Sequence, residues 1–281
     1  MYDSRKAKDK LFFVLVLLMS VIAVIPILHT IVVTLTNGLP TILRAGLGFF
    51  VNTPPSPLSK EVGGIAPALV GSITMTMISL PISIALAFSA AVLSTEFPRN
   101  PLSMIVDVVA KSLASIPTIV VSMAVYLTVV VPMGKFSALA GATALTVISL
   151  PYSYTYISTY LRSIPAIYRE AAYSIAMSRW RTIISVFVPI IRRGLSVAIL
   201  MTMARILGET AAILFVTGRY RLEVSLSLFG PTDAIPLLIF DYVLTPYRVF
   251  QELSWAAAAL LLLSYLIIFV STKFLVKEVK L

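Results

Sequence analysis

The chain has 281 residues, of which 59% are hydrophobic and 12% charged, with a mean hydropathy of +0.98. Soluble domains carry roughly 45–50% apolar and about 25% charged residues, so this composition describes an integral membrane protein and excludes an ordinary soluble enzyme. With no Cys and a single His29, disulfides, thiolate nucleophiles and Cys- or His-rich metal sites drop out, and the net charge of +10 is read as membrane orientation rather than nucleic-acid binding.

A bilayer core about 30 Å thick takes roughly 20 apolar residues in helical form. Six runs meet that length. The first, about 11–35, follows Arg5, Lys6, Lys8 and Lys10 and reads as a retained helix because no small-residue cleavage site closes it. The second covers about 67–93. The third, about 112–131, follows a short amphipathic stretch holding Asp107 and Lys111; a tight turn at Pro132–Lys135 then leads into the fourth, about 136–159. The fifth, about 194–216, contains Arg205 and Glu209, and the sixth is about 253–274. The apolar run Ile235–Phe240 is too short to cross and is expected to be re-entrant or interfacial.

Six spans put both termini on one side and give a single membrane domain over 1–281. That side collects the N-terminal basic cluster, Arg99, Lys111, Arg162, Arg169, Arg179, Arg181, Arg192, Arg193, Lys273, Lys277 and Lys280. The other holds only Arg44, Lys60, Lys135, Arg219, Arg221 and Arg248, so the basic side is expected to be cytoplasmic. Two long outer segments, about 36–66 and 218–252, are candidate docking surfaces for an external partner.

The cytoplasmic loop at about 160–193 carries Ser163 and Pro165 as helix-start signals. Ile164, Ile167, Ala171 and Ile175 then follow at helical spacing, so a short amphipathic helix is expected. Ser178 is positioned to cap a second helix near Arg179, which Pro189 is expected to disrupt. Within the fifth span, Arg205 and Glu209 stand four residues apart and are expected to meet on one helix face near mid-membrane. A charge there costs at least about 2.5–3.5 kcal/mol, which makes Arg205 a candidate oxyanion ligand with Glu209 as its resting partner. Ser72, Thr76, Ser79 and Ser83 form one polar stripe on the second span, suited to helix packing or to lining a water-filled path. Pro26, Pro81, Pro117 and Pro151 fall within spans and receive no functional role; His29 reads as a satisfied polar residue.

Glu170-Ala171-Ala172, three residues, Ala176, and then Val186-x-Val188-Pro189 resemble the cytoplasmic loop signature of ABC-importer permeases, with Ala176 standing where that family has Gly. The departure weighs against a sharp bend at Ala176. Further blocks, Ala204–Ala211 with Arg205, Glu209 and Thr210, then Gly218, Ile235–Phe240 and Phe250–Ala257, look like the PstA-type permeases of phosphate uptake.

The resemblance implies an all-α, type I ABC-importer-like permease whose coupling helix, with Glu170, Ala171, Ala172, Ala176 and Arg179, sits in a cytoplasmic ATPase. It implies a translocation path that includes Arg205, Glu209, Thr210, Ser72 and Thr76. The implied partners are a homologous PstC-type permease, a PstB-type ATPase dimer that binds ATP and Mg, and an external PstS-type phosphate-binding protein. No phosphate-binding G-x-x-x-x-G-K-[ST] loop occurs here, and no nucleophile–base pair is evident, so this chain is expected to be non-catalytic. Import of molybdate or sulfate, and a stand-alone secondary carrier, are the alternatives.

Overall fold

The computed structural model describes residues 2–277; the side chains of Arg5 and Lys277, and all of Lys280, lie outside what is described. Nine helices organise those residues: α1 Tyr2–Ala45, α2 Ala66–Glu96, α3 Pro101–Leu113, α4 Thr118–Met133, α5 Ala138–Arg162, α6 Ala166–Ser174, α7 Arg179–Leu207, α8 Ile235–Val243 and α9 Arg248–Lys277, with a single extra turn at Gly48–Val51. The described residues contain no β-sheet, only one isolated bridge between Gly218 and Thr232.

Six helices, α1, α2, α4, α5, α7 and α9, run alternately between two ends of a bundle. Contacts between their ends fix this order. Arg44 at the end of α1 meets Glu252 at the start of α9, and Ser137 before α5 donates its backbone N–H to Val216. At the opposite end, Glu96 of α2 pairs with Arg169 beyond the end of α5.

Four of the helices are both long and apolar enough to cross a membrane, and a fifth candidate is the pair α3 and α4, bent by 107°. Helix α5, the fourth span of the sequence reading, has 25 residues, or about 37 Å, but is not among them. Its position explains why. Ala138, Ala140, Gly141, Ala142, Ala144, Ser149 and Ser153 are buried, so α5 lies in the middle of the bundle and presents small and hydroxyl-bearing residues to protein. A lipid-facing helix is selected for apolar bulk; a surrounded one is selected for close approach.

Helix α1 is the opposite case. Its most apolar stretch has no buried residue, and Leu11 through Leu28 stand exposed; the residues that pack lie nearer its end. There Gly38 crosses α9 so closely that a Cβ would come within 2.3 Å of the Trp255 carbonyl and 2.5 Å of Ala259 Cβ.

Several boundaries differ from those read in the sequence. Helix α1 continues ten residues past 35, because Thr36 and Asn37 return their polar groups to Val32 and Val33 carbonyls and remain helical. The third span does not begin at 112: Ser112 and Leu113 end α3, the chain turns at 114–117, and Pro117 caps α4. The fifth span begins earlier and stops earlier than 194–216. Ser178 caps it as expected, accepting from Arg181 N, but Pro189 does not disrupt it.

A π-helical turn at Ile183–Phe187 immediately precedes Val188-Pro189, and another at Tyr126–Val130 precedes Val131-Pro132. A wide turn removes the carbonyl that a proline ring would strike, so each helix passes its proline unbroken. The short apolar segment expected to be re-entrant or interfacial forms helix α8, which extends to Val243, with Ile235, Pro236, Leu237 and Leu238 buried.

Replacing Gly38 by Leu is expected to wedge α1 from α9 and cost about 1–3 kcal/mol. A lower thermal midpoint of the detergent-solubilised protein, against an unchanged midpoint for exposed Leu11→Ala, checks it.

Candidate translocation and coupling sites

Helix α7 ends at Leu207 with Gly208 as its cap and Arg205 in its last turn, a basic residue at the negative end of the helix dipole. Gly208 is required by contact as well: a Cβ there would lie 2.0 Å from Tyr265 Oη. The chain then proceeds through turns, Glu209 N to Ile206 O, Ile213 N to Thr210 O and Val216 N to Ile213 O, instead of continuing as a span to 216.

Arg205 and Glu209 therefore do not share a continuous helix face, yet they are paired at 3.1 Å across the break. The Glu209 side chain is 6% exposed and its second oxygen accepts from Ala212 N at 3.4 Å. The Arg205 guanidinium lies 4.9 Å from the centre of the Tyr152 ring, and its Nε is buried without a hydrogen-bond partner. Tyr152 and Tyr265 stand near the middles of α5 and α9, which sets the pair at mid-depth of the bundle.

The other expected path residues divide. Glu209, Ser72 and Thr76 line one narrow space of about 10 Å³, closed by Ile206, Ala234 and Pro236. Ser72 Oγ accepts the Ile235 backbone N–H at 2.9 Å, so its role is to hold the start of α8. Thr210 is half-buried beside Glu209 and has no side-chain bond among the described residues. Ser79 and Ser83 are fully buried. Ser83 Oγ meets Ser153 Oγ at 3.1 Å, and Ser153 meets Thr202 at 3.0 Å, which joins α2, α5 and α7 through hydroxyls.

At the coupling end, Pro165 caps α6 and Ser163 instead closes α5, donating to the Tyr160 carbonyl. The bend expected to be weakened at Ala176 is present. Ala176 adopts φ +54°, Met177 N donates to Ala172 O and Ala176 N to Tyr173 O, the bonding pattern that ends a helix on a left-handed residue. These bonds and the packing of buried Ala172 hold alanine in a conformation that glycine would adopt freely.

Glu170, Ala171, Ala176 and Arg179 are exposed, together with the apolar surfaces of Ile167, Tyr168, Ile175 and Trp180. Arg179 also lies 4.7 Å from the Phe97 ring centre.

Sequence reading missed the residues that hold these sites. Arg169 pairs with Glu96 at 3.0 Å, donates to the carbonyls of Leu161 and Ile164, and stacks 5.1 Å from the Phe187 ring centre. At the opposite end, Arg221 grips fully buried Asp233 through two bonds of 2.6 and 3.2 Å, reaches Asp241 at 2.7 Å and covers the Tyr242 ring at 5.0 Å. Arg219 pairs with Asp241 as well.

Burial pushes the Asp233 carboxyl up, against the pull of Arg221. Gly71 of α2 touches the Asp233 carbonyl so closely that a Cβ would lie 2.1 Å away, which seats the loop before α8 on α2. The available signal was an Asp next to the Ala-Ile-Pro start of α8, with two arginines nearby in an outer loop.

A family described as the binding-protein-dependent transport system inner membrane component matches residues 83–281. The chain belongs to this family. Among its curated relatives, the probable phosphate transport system permease protein PstA of Methanocaldococcus jannaschii is 35% identical, over 98% of this chain and 95% of the relative. The PstA permease of Pasteurella multocida is 30% identical over 95% and 94%. Among solved structures, a chain of the MetNI methionine ABC transporter in inward-facing conformations superposes with a TM-score of 0.62 at 17% identity, covering 76% of this chain and 95% of that one. The architecture is therefore that of ABC-importer permease subunits, and this member of the family is a multi-pass inner-membrane protein.

Two outcomes follow from these geometries. Arg221→Met leaves Asp233 buried beside no cation and is expected to cost about 3–5 kcal/mol, largely restored by adding Asp233→Asn; thermal unfolding of the two variants checks this. Ala176→Gly is expected to relieve the left-handed residue and stabilise the loop by about 1 kcal/mol, read as slower amide exchange at Met177.

Proposed function

We propose that this chain is one of two membrane permease subunits of an ATP-driven importer of inorganic phosphate. The observation that carries the reading is the 35% identity, over nearly the whole of both chains, to a relative named as a phosphate transport permease. The intramembrane Arg–Glu pair at a helix break supplies chemistry that fits an anion in transit. The curated relatives described above are named for phosphate transport, which favours phosphate over a stand-alone carrier or another oxyanion.

In this reading five of the six alternating helices cross the bilayer as helix, while α7 enters from the cytoplasm and ends part-way, the turns after Gly208 completing its passage; α8 re-enters from outside, and both termini lie in the cytoplasm. The fold supports a single membrane domain, the fourth crossing being α5, which is long enough but shielded from lipid. A homologous PstC-type permease completes the path. A PstB-type ATPase dimer, holding ATP and Mg, engages α6 through Glu170, Ala171, Ala172, Ala176 and Arg179, and the present chain contributes no catalysis. A PstS-type binding protein delivers phosphate to the outer loops.

The physical sequence runs through the contacts described. Closure of the ATPase dimer moves α6, and Arg169 passes that movement to the ends of α2 and α5 and to Phe187 of α7. Arg205, always protonated and planar, offers paired donors to a phosphate that replaces Glu209. Glu209 then reclaims the guanidinium, so the anion is not trapped. Thr210 and Thr76 lie along the same route.

Mild-detergent purification from native membranes followed by mass spectrometry tests the assembly. A Walker-motif ATPase, a second permease and a phosphate-binding protein are expected; recovery of this chain alone, folded, refutes it. Within an assembled complex, Arg205→Gln is expected to lower phosphate uptake by at least about a hundredfold, the scale of one lost charge-assisted contact of about 3 kcal/mol. Glu170→Lys is expected to abolish ATPase co-purification. Normal uptake by the Arg205 variant removes the oxyanion role, and normal co-purification with Glu170→Lys removes the coupling role.

A further inference from the structure

The Arg205–Glu209 pair leaves both of its members incompletely matched, and in opposite senses. A guanidinium has five N–H donors; among the described residues, Arg205 places Nη2 against Glu209, while its Nε is buried with no acceptor. A carboxylate has about four lone-pair positions; Glu209 faces Arg205 as an ion pair at 3.1 Å and accepts one long 3.4 Å bond from Ala212 N. Tyr265, whose Oη lies against Gly208 beside the pair, adds a hydroxyl with no hydrogen-bond partner among the described residues. The unused capacity of the site is thus several donors and one negatively charged acceptor, and Glu209 is the only acidic side chain at the break between Arg205 and Gly218.

A ligand that satisfies this set carries acceptor oxygens for Arg205 and Tyr265 together with a hydroxyl proton for Glu209. Phosphate keeps at least one such proton throughout the physiological pH range. Sulfate keeps none: it satisfies the donors but sets its oxygens against a buried carboxylate that has nothing to accept. A site built around a substrate hydroxyl rejects the analogue lacking it far more strongly than it rejects a change in size.

We propose that Glu209 is a specificity-determining residue of the path, admitting oxyanions that retain a proton and turning back those that are fully deprotonated. Selection at the binding protein is then repeated inside the membrane by a carboxylate. This rests on the reading of Arg205 as the oxyanion's ligand.

The test is equilibrium binding of radiolabelled phosphate and radiolabelled sulfate to the permease–ATPase complex purified without its binding protein, at millimolar anion and neutral pH. The wild type is expected to bind phosphate about tenfold or more tightly than sulfate. Glu209→Gln keeps the size and replaces the charge by an amide whose N–H₂ meets a sulfate oxygen, so the preference is expected to fall below about threefold. Equal binding of the two anions by the wild type overturns the proposal without any variant, and so does a preference that survives in an assembled Glu209→Gln complex. Absence of binding of either anion to the wild type, or unchanged binding to Arg205→Gln, overturns the underlying reading of the path and the proposal with it.

Discussion

A helix that stops inside a membrane leaves backbone groups that lipid cannot satisfy, and the structure around Gly208 is organised by that constraint. The carbonyls at the end of α7 and the amides of the chain beyond must all find protein partners. Those the structure pairs are met through the turns at Glu209–Val216, through Glu209 Oε1 on Ala212 N, and through Ser137 N on the Val216 carbonyl. The returning segment is held by Thr232 N on Thr217 O, and α8 begins with Ile235 N on Ser72 Oγ. Irregular backbone at this depth is tolerated because α2, α5 and α9 surround it, and their small residues allow the approach: Gly71 against Asp233, Gly141 against Met75 and Thr217, Gly208 against Tyr265. The Arg205–Glu209 pair is a product of the same break, since Glu209 faces Arg205 from beyond the helix end.

The order of the long helices was legible in the sequence, as were α6 and α8, because apolar length and helical spacing report what a bilayer and an amphipathic interface demand; four of those helices are long and apolar enough to cross, or five with the bent pair counted as one. Where a helix ends inside the bundle was not legible. Counting apolar residues carried the fifth span on to Val216, although Arg205 in a last turn followed by Gly208 is a helix-stop signal. The apolar run overrode it because the turns after Gly208 are buried and so equally apolar. Pro189 was misread for a related reason: proline's penalty falls on an α-helical carbonyl, and the π turn at Ile183–Phe187 removes that carbonyl through a choice no local propensity encodes. The clamps at Arg169 and Arg221 join residues 73 and 12 positions apart, so only the tertiary structure brings them together.

In the coupling proposed above, the Ala176 turn bears on how force would enter the bundle. The exit of α6 is fixed by the Met177 and Ala176 backbone bonds, which hold alanine in the left-handed region despite its Cβ. Arg169 makes the entry equally firm, since one guanidinium contacts the end of α2, two carbonyls around the end of α5 and an aromatic ring of α7. A displacement of α6 is therefore delivered to three helices at once rather than absorbed in a loop. The same three helices meet again through Ser83, Ser153 and Thr202, one turn before Arg205 on α7.

Transport sets opposite demands on an intramembrane cation. Unpaired, Arg205 would be costly to bury and would hold an anion too well; permanently paired, it would hold none. The geometry lies between these limits. The ion pair with Glu209 is a single 3.1 Å contact rather than a two-bond fork, Nε is left over, and the carboxylate sits on a turn outside the helix that carries the arginine. By contrast, Arg221 holds Asp233 with both of its bonds and a third to Asp241, in a cluster that the fold needs closed. The two arginine–carboxylate clusters differ in how completely their hydrogen bonds are matched, and that difference separates a pair suited to exchanging partners from one that anchors the re-entrant helix.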